Sequence, residues 1–490
     1  MENNKICLDF PEQGWYSLRI AKIMASTGRY QSSEFCVDSL GENPECAIYE
    51  FPSRMEGTPF IFFLALLLLG PSVYISMWVN FVFSLLFLMV VYIFMSFLTK
   101  KKEAGLITSI TFMISGLFLI YSLSHENMLS LFFIPLSLLF ILLSFKVNKL
   151  HFYMLTFLIM AFAAKIRPED TVIFVIFFIL VFLFKKKFFK DRAFLKNISL
   201  SLVLALAIGI SFVMHVMFIP MFWGIEFMGP EYEGIHPFMT GKFFENLTEH
   251  SYVWAQFNGW PVIMFLLIGA VYCALRYRKI LLLFLLSMIP YALVYTFYAH
   301  GGYNYTYHLN FFLIPIAGMG VYLLLRVILM FTKRIAVKRN FILAVVFSIA
   351  IFFTLFPSAA SRLDSCKIGT LEFLRGISEV SGEFEKDDII VTGRDDFAGI
   401  LDYSTESCVI YTAFTSDGIV IKEYEKAQWD IIVDFIKTHK NSVFYFMPKE
   451  DVTANYYYYE GMFRKLSQIF NLEKVYENDI SIVYEISNKI

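Results

Sequence analysis

Charged residues are scarce in this chain of 490 residues, and that scarcity decides the class of protein. Only 17% of the residues are charged and 58% are hydrophobic, whereas soluble domains are about one quarter charged. The formal net charge is −1, and no segment is basic enough to follow a nucleic-acid backbone. The composition predicts a polytopic membrane protein. The near-zero net charge by itself argues neither for nor against nucleic acid, but without a basic domain we expect no nucleic-acid partner.

Cysteine is also rare, with six residues in the chain. None of them forms a Cys-x-x-Cys pair or a Cys/His cluster, which argues against a structural zinc site. Residues 1–54 lack the apolar core of a signal peptide, and we find no internal repeat or low-complexity tract. Cys36–Cys46 and Cys366–Cys408 are candidate disulfides, but spacing does not decide their pairing.

Long apolar runs dominate the middle of the chain, and about 17–25 such residues cross a bilayer as a helix. The expected spans are Val73–Thr99, Gly105–Leu123, Met128–Phe145, Ile198–Pro220, Pro261–Leu275, Ile280–Ala299, Leu309–Met330 and Phe341–Phe356. Two shorter runs, Phe152–Ala164 and Thr171–Leu183, predict a helical pair whose tip dips into the membrane. Thr58–Gly70 fits an interfacial or re-entrant helix better than a full span.

Lysine and arginine concentrate in alternate loops, which the positive-inside rule assigns to the cytoplasm. The basic loops are 100–102, 146–149, 185–192, 276–279 and 333–339. The intervening loops, residues 1–57 and everything after Phe356 should then face outward. We therefore expect a multi-pass protein of the cell membrane with an extracytoplasmic C-terminal domain.

The composition changes after Phe356, where strand-like and helical segments alternate. The strand-like segments are "DDIIVTG", "CVIYT", "SVFYFM" and "SIVYEI", and the helical ones are "QWDIIVDFIKTH" and "EGMFRKLSQIF". The predicted fold class is thus an α-helical polytopic membrane protein with a C-terminal soluble α/β domain. Its parts are an outer loop with an amphipathic interfacial helix (1–57), a multi-span transmembrane domain (58–357) and the extracytoplasmic domain (358–490).

Ionisable residues near a membrane are costly, so they are the default functional candidates. In the segment "LDFPEQGWYSLRIAKIMASTGRY", Arg19 and Lys22 share one side of a predicted helix whose other side is apolar. A plain membrane-surface anchor explains the same pattern. The other outer candidates are Asp9, Glu12, Arg29, Glu126, Arg167, Glu169 and His308.

Four segments together resemble the GT-C superfamily of polyprenyl-phosphate-sugar glycosyltransferases, which includes protein O-mannosyltransferases and aminoarabinose transferases. "PEQGWYSLRIAKIMASTGRY" looks like the family's first outer loop, and "YSLSHENMLSLFF" is similar to its second. "KIRPED" resembles the recurrent Arg-Pro-Glu turn, and "YHLNFFLIPIAGMG" resembles the late span that begins with a basic residue. These segments occur in the family's order over residues 8–330.

The resemblance implies an inverting transferase that moves a sugar from a polyprenyl-phosphate carrier to a lipid, glycan or protein acceptor. Glu12 falls where the family usually has its catalytic aspartate, and Asp9 is the alternative base. Glu126 would orient the acceptor or hold a divalent metal. Cationic side chains would bind the donor phosphate. The candidates for that role are Arg19, Lys22, Arg54, Lys165, Arg167 and His308.

Two departures from the family keep other functions open. Glu12 and Gln13 stand where the family has aspartate and glutamate. The family also has a transmembrane helix before this loop, and we expect either that such a helix lies upstream of Met1 or that the chain is a degenerate member without it. A non-catalytic or degenerate GT-C-like protein and a lipid or solute transporter are therefore alternatives. Structural roles are also open, since Glu126 could cap a helix and Arg167 could pair with Glu169. His308 could be an interfacial anchor.

Overall fold

The structure is a computed structural model of the chain. It describes residues 12–27, 32–34, 48–50, 57–124, 127–184, 191–222, 243–298, 306–331, 337–361, 370–385, 388–393, 395–405, 407–411, 423–438, 442–450, 452–453 and 456–489. The chain divides into two compact units, one formed by Met1–Val79 with Asp364–Ile490 and the other by Asn80–Leu363.

Helices form over the apolar runs because hydrocarbon offers no partners to backbone amides, which must bond within their own segment. In chain order the first thirteen are α1 (Glu12–Thr27), α2 (Gly57–Leu69), α3 (Ile75–Thr99), α4 (Lys102–Met113), α5 (Gly116–Ser124), α6 (Asn127–Val147), α7 (Leu150–Ile166), α8 (Val172–Phe184), α9 (Arg192–Phe222), α10 (Phe243–Arg276), α11 (Arg278–Tyr298), α12 (Tyr307–Phe331) and α13 (Val337–Ser361). A short 3-10 turn, Pro168–Thr171, joins α7 to α8.

Among the described residues, five helices are long and apolar enough to cross a membrane, or six if one bent pair counts as a span. The five lie in α3, α6, α10, α11 and α12, and each overlaps a span expected from the sequence. The expected span Gly105–Leu123 is instead bent by 74° between α4 and α5. Gly116 begins α5 so close to α10 that an added Cβ would lie 2.3 Å from the Phe257 carbonyl oxygen.

A second break interrupts α10, where Gly259 adopts φ 71° and ψ 172° just before Pro261. Glycine suits this backbone because a side chain disfavours positive φ. Beyond the break, α10 packs tightly on α12, since a Cβ on Gly269 would lie 1.8 Å from the Ile316 carbonyl oxygen. Non-helical backbone at such depth is tolerated where protein covers it.

The C-terminal part is an α/β layer, as the sequence predicts. Earlier in the chain, β1 (Ser32–Glu34) and β2 (Ile48–Glu50) form a small antiparallel pair. The elements of the C-terminal part are α14 (Thr370–Ser381), β3 (Ile389–Thr392), α15 (Asp395–Ser404), β4 (Cys408–Tyr411), α16 (Glu423–Thr438), β5 (Val443–Pro448), α17 (Tyr456–Ile469), β6 (Phe470–Glu477) and β7 (Ser481–Asn488). The five-stranded sheet has the order β4-β3-β5-β7-β6. Strands β4, β3 and β5 are parallel, and β7 and β6 continue antiparallel.

Burial explains which strands of this sheet could be predicted from the sequence. All four residues of β3 are buried, as are five of the six in β5, so both strands are uninterrupted apolar runs. Edge strand β6 was not predicted, because only Phe470 of its residues is buried. Charged side chains on an exposed edge are typical, since they hinder pairing with another chain.

Candidate active site

A buried arginine lies at the turn between α7 and α8. Arg167 has extended backbone, and Pro168 then opens the 3-10 turn. The Arg167 guanidinium donates a hydrogen bond to the Asn127 side-chain oxygen at the start of α6. Its Nε lies 3.6 Å from Glu169 Oε2, and its Cζ lies 5.3 Å from the centre of the Tyr307 ring. A cation is therefore held in the interior of the helical unit by an amide, a carboxylate and an aromatic face.

The same turn carries a buried carboxylate that joins three helices. The Ser130 hydroxyl of α6 donates to Asp170 Oδ2. On Oδ1, Asp170 accepts hydrogen bonds from the hydroxyls of Tyr291 in α11, at 2.9 Å, and of Tyr307 in α12, at 3.1 Å. Three hydroxyl donors satisfy a carboxylate that burial would otherwise make costly. Asp170 thus connects α6, α11 and α12 around the Arg167 turn.

His308 lies beside this group, between tyrosines of α11. Its ring stacks on Tyr295 with 4.6 Å between centroids and 14° between planes. The Tyr291 ring is parallel to it within 15° at 6.1 Å, and the hydroxyls of Tyr295 and Tyr307 are 2.6 Å apart. His308 is 1% exposed, so in this structure it is an interior group and not a surface anchor.

A second polar layer surrounds the two helix breaks. His250 of α10 approaches His308 with 6.2 Å between ring centroids. Near the break in α10, the Asn258 amide donates to the Asn310 side-chain oxygen at 3.2 Å. The Ser115 hydroxyl, at the break between α4 and α5, donates to the same oxygen at 3.0 Å. Both irregular backbone segments therefore meet α12 at Asn310.

In and beside this layer, the buried atoms Trp254 Nε1, Asn258 Oδ1 and Asn310 Nδ2 have no hydrogen-bond partner among the described residues. Native proteins leave few buried polar atoms unsatisfied, because each such atom loses its bond to water. Two donors and one acceptor are thus available to a bound water or a hydroxylated ligand.

Lys22, a predicted phosphate contact, has structural partners within its own unit, Met1–Val79 with Asp364–Ile490. Its Nζ donates to the carbonyl oxygens of Tyr403, at 2.8 Å, and Thr405, at 3.1 Å, where α15 ends. Cations at a helix C-terminus offset the partial negative charge of its free carbonyls. Burial raises the pKa of Tyr403 to about 12, so its neutral hydroxyl donates to the Ser72 carbonyl at 3.1 Å. Lys22 therefore ties α1 to α15.

The remaining sequence candidates are less fully described. Lys165 is half-buried in the last turn of α7. Glu12 and Arg19 lie in α1, but only their backbone is described. Asp9, Arg29, Arg54, Glu126 and both candidate disulfides lie outside the described side chains. In the described part of the chain, no group of three or more His, Cys, Asp or Glu residues could hold a metal ion.

The comparisons with known proteins identify the architecture. No family model matches the sequence, and no curated protein matches it. Two solved structures of ArnT from Cupriavidus metallidurans do match, each at 11% identity over 96% of this chain and 93% of ArnT. The apo state gives a TM-score of 0.54, and the state bound to undecaprenyl phosphate gives 0.55. The chain has a GT-C-like fold.

The match extends over nearly the whole of both chains, so this GT-C-like fold includes both the helical and the α/β parts. The fold expected from the four sequence segments is thereby confirmed. At 11% identity the likeness concerns the architecture alone.

Proposed function

We propose that the chain is an inverting glycosyltransferase that moves a sugar from a polyprenyl-phosphate carrier to an acceptor on the outer face of the cell membrane. The single observation that carries the proposal is the whole-length likeness to a transferase structure bound to undecaprenyl phosphate. The buried group around Arg167 and His308 supports it, because two residues proposed from sequence as phosphate contacts both contact Tyr307.

Arg167 and His308 would bind the phosphate of the carrier. A guanidinium has five N–H donors in a planar fork that matches phosphate oxygens. Asn127 and Glu169 orient the Arg167 fork, and the rings of Tyr295 and Tyr291 lie nearly parallel to the His308 ring and limit its rotation. As the bond from sugar C1 to the phosphate oxygen breaks, its electron pair stays on the phosphate, and these groups stabilise that charge.

The other half of the reaction needs a base and a site for the sugar. The acceptor oxygen or nitrogen bonds to C1 on the opposite side, and its proton passes to a carboxylate. Glu12, or alternatively Asp9, is the proposed base, and Glu126 is proposed to orient the acceptor or hold a metal. The unsatisfied donors Trp254 Nε1 and Asn310 Nδ2 suit sugar hydroxyls.

The proposed arrangement has residues 1–57 and 358–490 outside the membrane and residues 58–357 within it. The acceptor would be a lipid, glycan or protein that reaches this outer side. A transporter is the less supported alternative, since the candidate ionisable residues lie near helix ends and turns instead of at the middle of paired repeats.

The decisive experiment separates carrier binding from transfer. Purified full-length protein in nanodiscs is titrated with undecaprenyl phosphate, and then incubated with a panel of polyprenyl-phosphate sugars while release of the carrier is followed. Arg167→Gln and His308→Gln should weaken carrier binding about tenfold or more, as expected for loss of a charge-assisted hydrogen bond. Arg167→Lys should have an intermediate effect, because it keeps the charge and loses the fork.

Arg375→Gln is the matched control, because Arg375 is an exposed arginine of α14 that pairs with Glu379 on its own helix. Carrier binding equal to wild type in folded Arg167→Gln and His308→Gln would refute the phosphate site. Absence of carrier binding by the wild-type protein would refute the function. Binding without sugar release from any donor would favour a non-catalytic GT-C-like protein.

A further inference from the structure

An exposed arginine interrupts the apolar surface of α12 in the helical unit. Arg326 is the one Lys, Arg, Asp or Glu residue of the candidate span Tyr307–Met330, and its side chain is exposed on the outside of the described unit. It lies five residues before the end of α12, about 8 Å along the axis. A charge on the outer surface of a membrane helix is costly unless its head group reaches polar partners.

Three tyrosines surround this arginine. The Arg326 guanidinium donates to the Tyr272 hydroxyl of α10 at 3.0 Å. The Tyr272 ring lies 5.6 Å from that of Tyr277 and 6.5 Å from that of Tyr322, between centroids. Tyr272 and Tyr322 are buried. The hydroxyl of a fixed ring therefore orients the guanidinium and uses one of its five N–H donors.

In the described part of the chain Arg326 has no ion-pair partner, although Glu103 of α4 lies close enough to interact electrostatically with Tyr322 of the cluster. Further positive charge adjoins the cluster, because Tyr277 lies in the turn Arg276–Lys279, whose Arg276, Arg278 and Lys279 are all exposed. Four exposed cations and three tyrosines thus occur at one corner, where α10 and α11 meet α12.

We propose that this corner, centred on Arg326 and Tyr272, binds the phosphodiester head group of an anionic phospholipid. The planar fork of arginine suits two phosphate oxygens, and aromatic rings are favoured at the depth of lipid head groups. Basic clusters beside transmembrane helices attract anionic lipids at about 1 kcal/mol per cation, which is about fivefold in affinity. A basic loop acting through net charge alone would not require an arginine that a buried tyrosine orients.

The test measures lipid binding by the full chain in neutral detergent, using a fluorescent phosphatidylglycerol as the probe. Wild type should bind it in preference to the matching phosphatidylcholine. Arg326→Gln should weaken phosphatidylglycerol binding about tenfold, the loss expected for a charge-assisted hydrogen bond. Tyr272→Phe, which keeps the ring and removes the orienting acceptor, should have a smaller effect in the same direction. Arg375→Gln on α14 should bind as wild type does.

The thermal midpoint of each variant in detergent shows whether it is folded. Because Arg326 is exposed, Arg326→Gln should keep the wild-type midpoint. Equal binding by folded Arg326→Gln and wild type would overturn the proposal, and so would equal affinity for the two lipids. A third arm adds inorganic phosphate at the lipid concentration. Persistent binding of the lipid supports a head-group site, whereas full displacement would assign the site to free phosphate.

Discussion

Replacing Asp170 with asparagine tests whether the buried carboxylate holds the helical unit together. Asp170 is fully buried and accepts hydrogen bonds from Ser130, Tyr291 and Tyr307. Asparagine has nearly the same shape, but its amide nitrogen is a donor and would face a hydroxyl that also donates. Hydrogen bonds to a charged acceptor contribute about 1.5–3 kcal/mol each. Losing one or two of them should lower the free energy of unfolding by about 2–4 kcal/mol.

Unfolding by SDS in mixed micelles, followed by circular dichroism, measures this difference. Tyr291→Phe removes one donor and keeps the carboxylate, so it should cost about 1.5–3 kcal/mol. Asp430→Asn changes an exposed aspartate of α16 and should stay within about 0.5 kcal/mol of wild type. The reasoning is refuted if Asp170→Asn unfolds at the same SDS concentration as Asp430→Asn.

Three further changes test other parts of the structure. Lys22→Met should raise the rate of amide exchange over residues 12–27 about tenfold, because α1 loses its hydrogen bonds to the end of α15. The control is Lys437→Met, which changes an exposed lysine of α16. Equal exchange over residues 12–27 in the two variants would show that Lys22 does not hold α1. Gly269→Ala should destabilise the packing of α10 on α12 by about 1–3 kcal/mol. Gly382→Ala should not be destabilising, because the atom nearest to its added Cβ lies at 3.4 Å. Equal thermal midpoints of the two variants would show that α10 and α12 move apart without cost. Trp254→Phe should raise the KM for the donor sugar about fivefold with an unchanged thermal midpoint, because it removes the N–H group proposed to bind a sugar hydroxyl. An unchanged KM would show that Trp254 does not bind the sugar.

The helices were the most predictable feature, because a long run without charges has few alternatives in a membrane. The two breaks were not predicted. The run through Met113 and Gly116 contains no charged residue, and its bend depends on how closely α5 approaches Phe257 of a distant helix. This close approach depends on how two distant helices pack, and the hydropathy of one segment does not predict it.

The site was predictable in part. "KIRPED" and the residue before the late span pointed to Arg167 and His308, and both lie in the buried group. Sequence reasoning missed Asp170 within that same motif, and it missed Tyr291 and Tyr295. Tyr291 and Tyr295 are four residues apart and share one face of α11, which was an available signal. Their role depends on hydrogen bonds and ring contacts between different helices, which the pattern of a single sequence does not reveal.

The predicted catalytic residues depend most on the resemblance. Glu12 lies at the first position of α1, and Lys22 ties that helix to the α/β layer. Glutamate stands at this position, where the GT-C superfamily that the segment resembles usually has aspartate. The assignment of the base is therefore a matter for direct measurement.

That measurement is carrier release by wild type and by Glu12→Gln, Asp9→Asn and their double variant, in nanodiscs with polyprenyl-phosphate sugars and a crude acceptor fraction. The account predicts release by wild type that falls at least a hundredfold in one single variant or in the double variant, as loss of a general base requires. Binding of undecaprenyl phosphate should stay unchanged in all of them. Full release by the double variant would contradict the proposed base, and no release by wild type from any donor would contradict the proposed transferase.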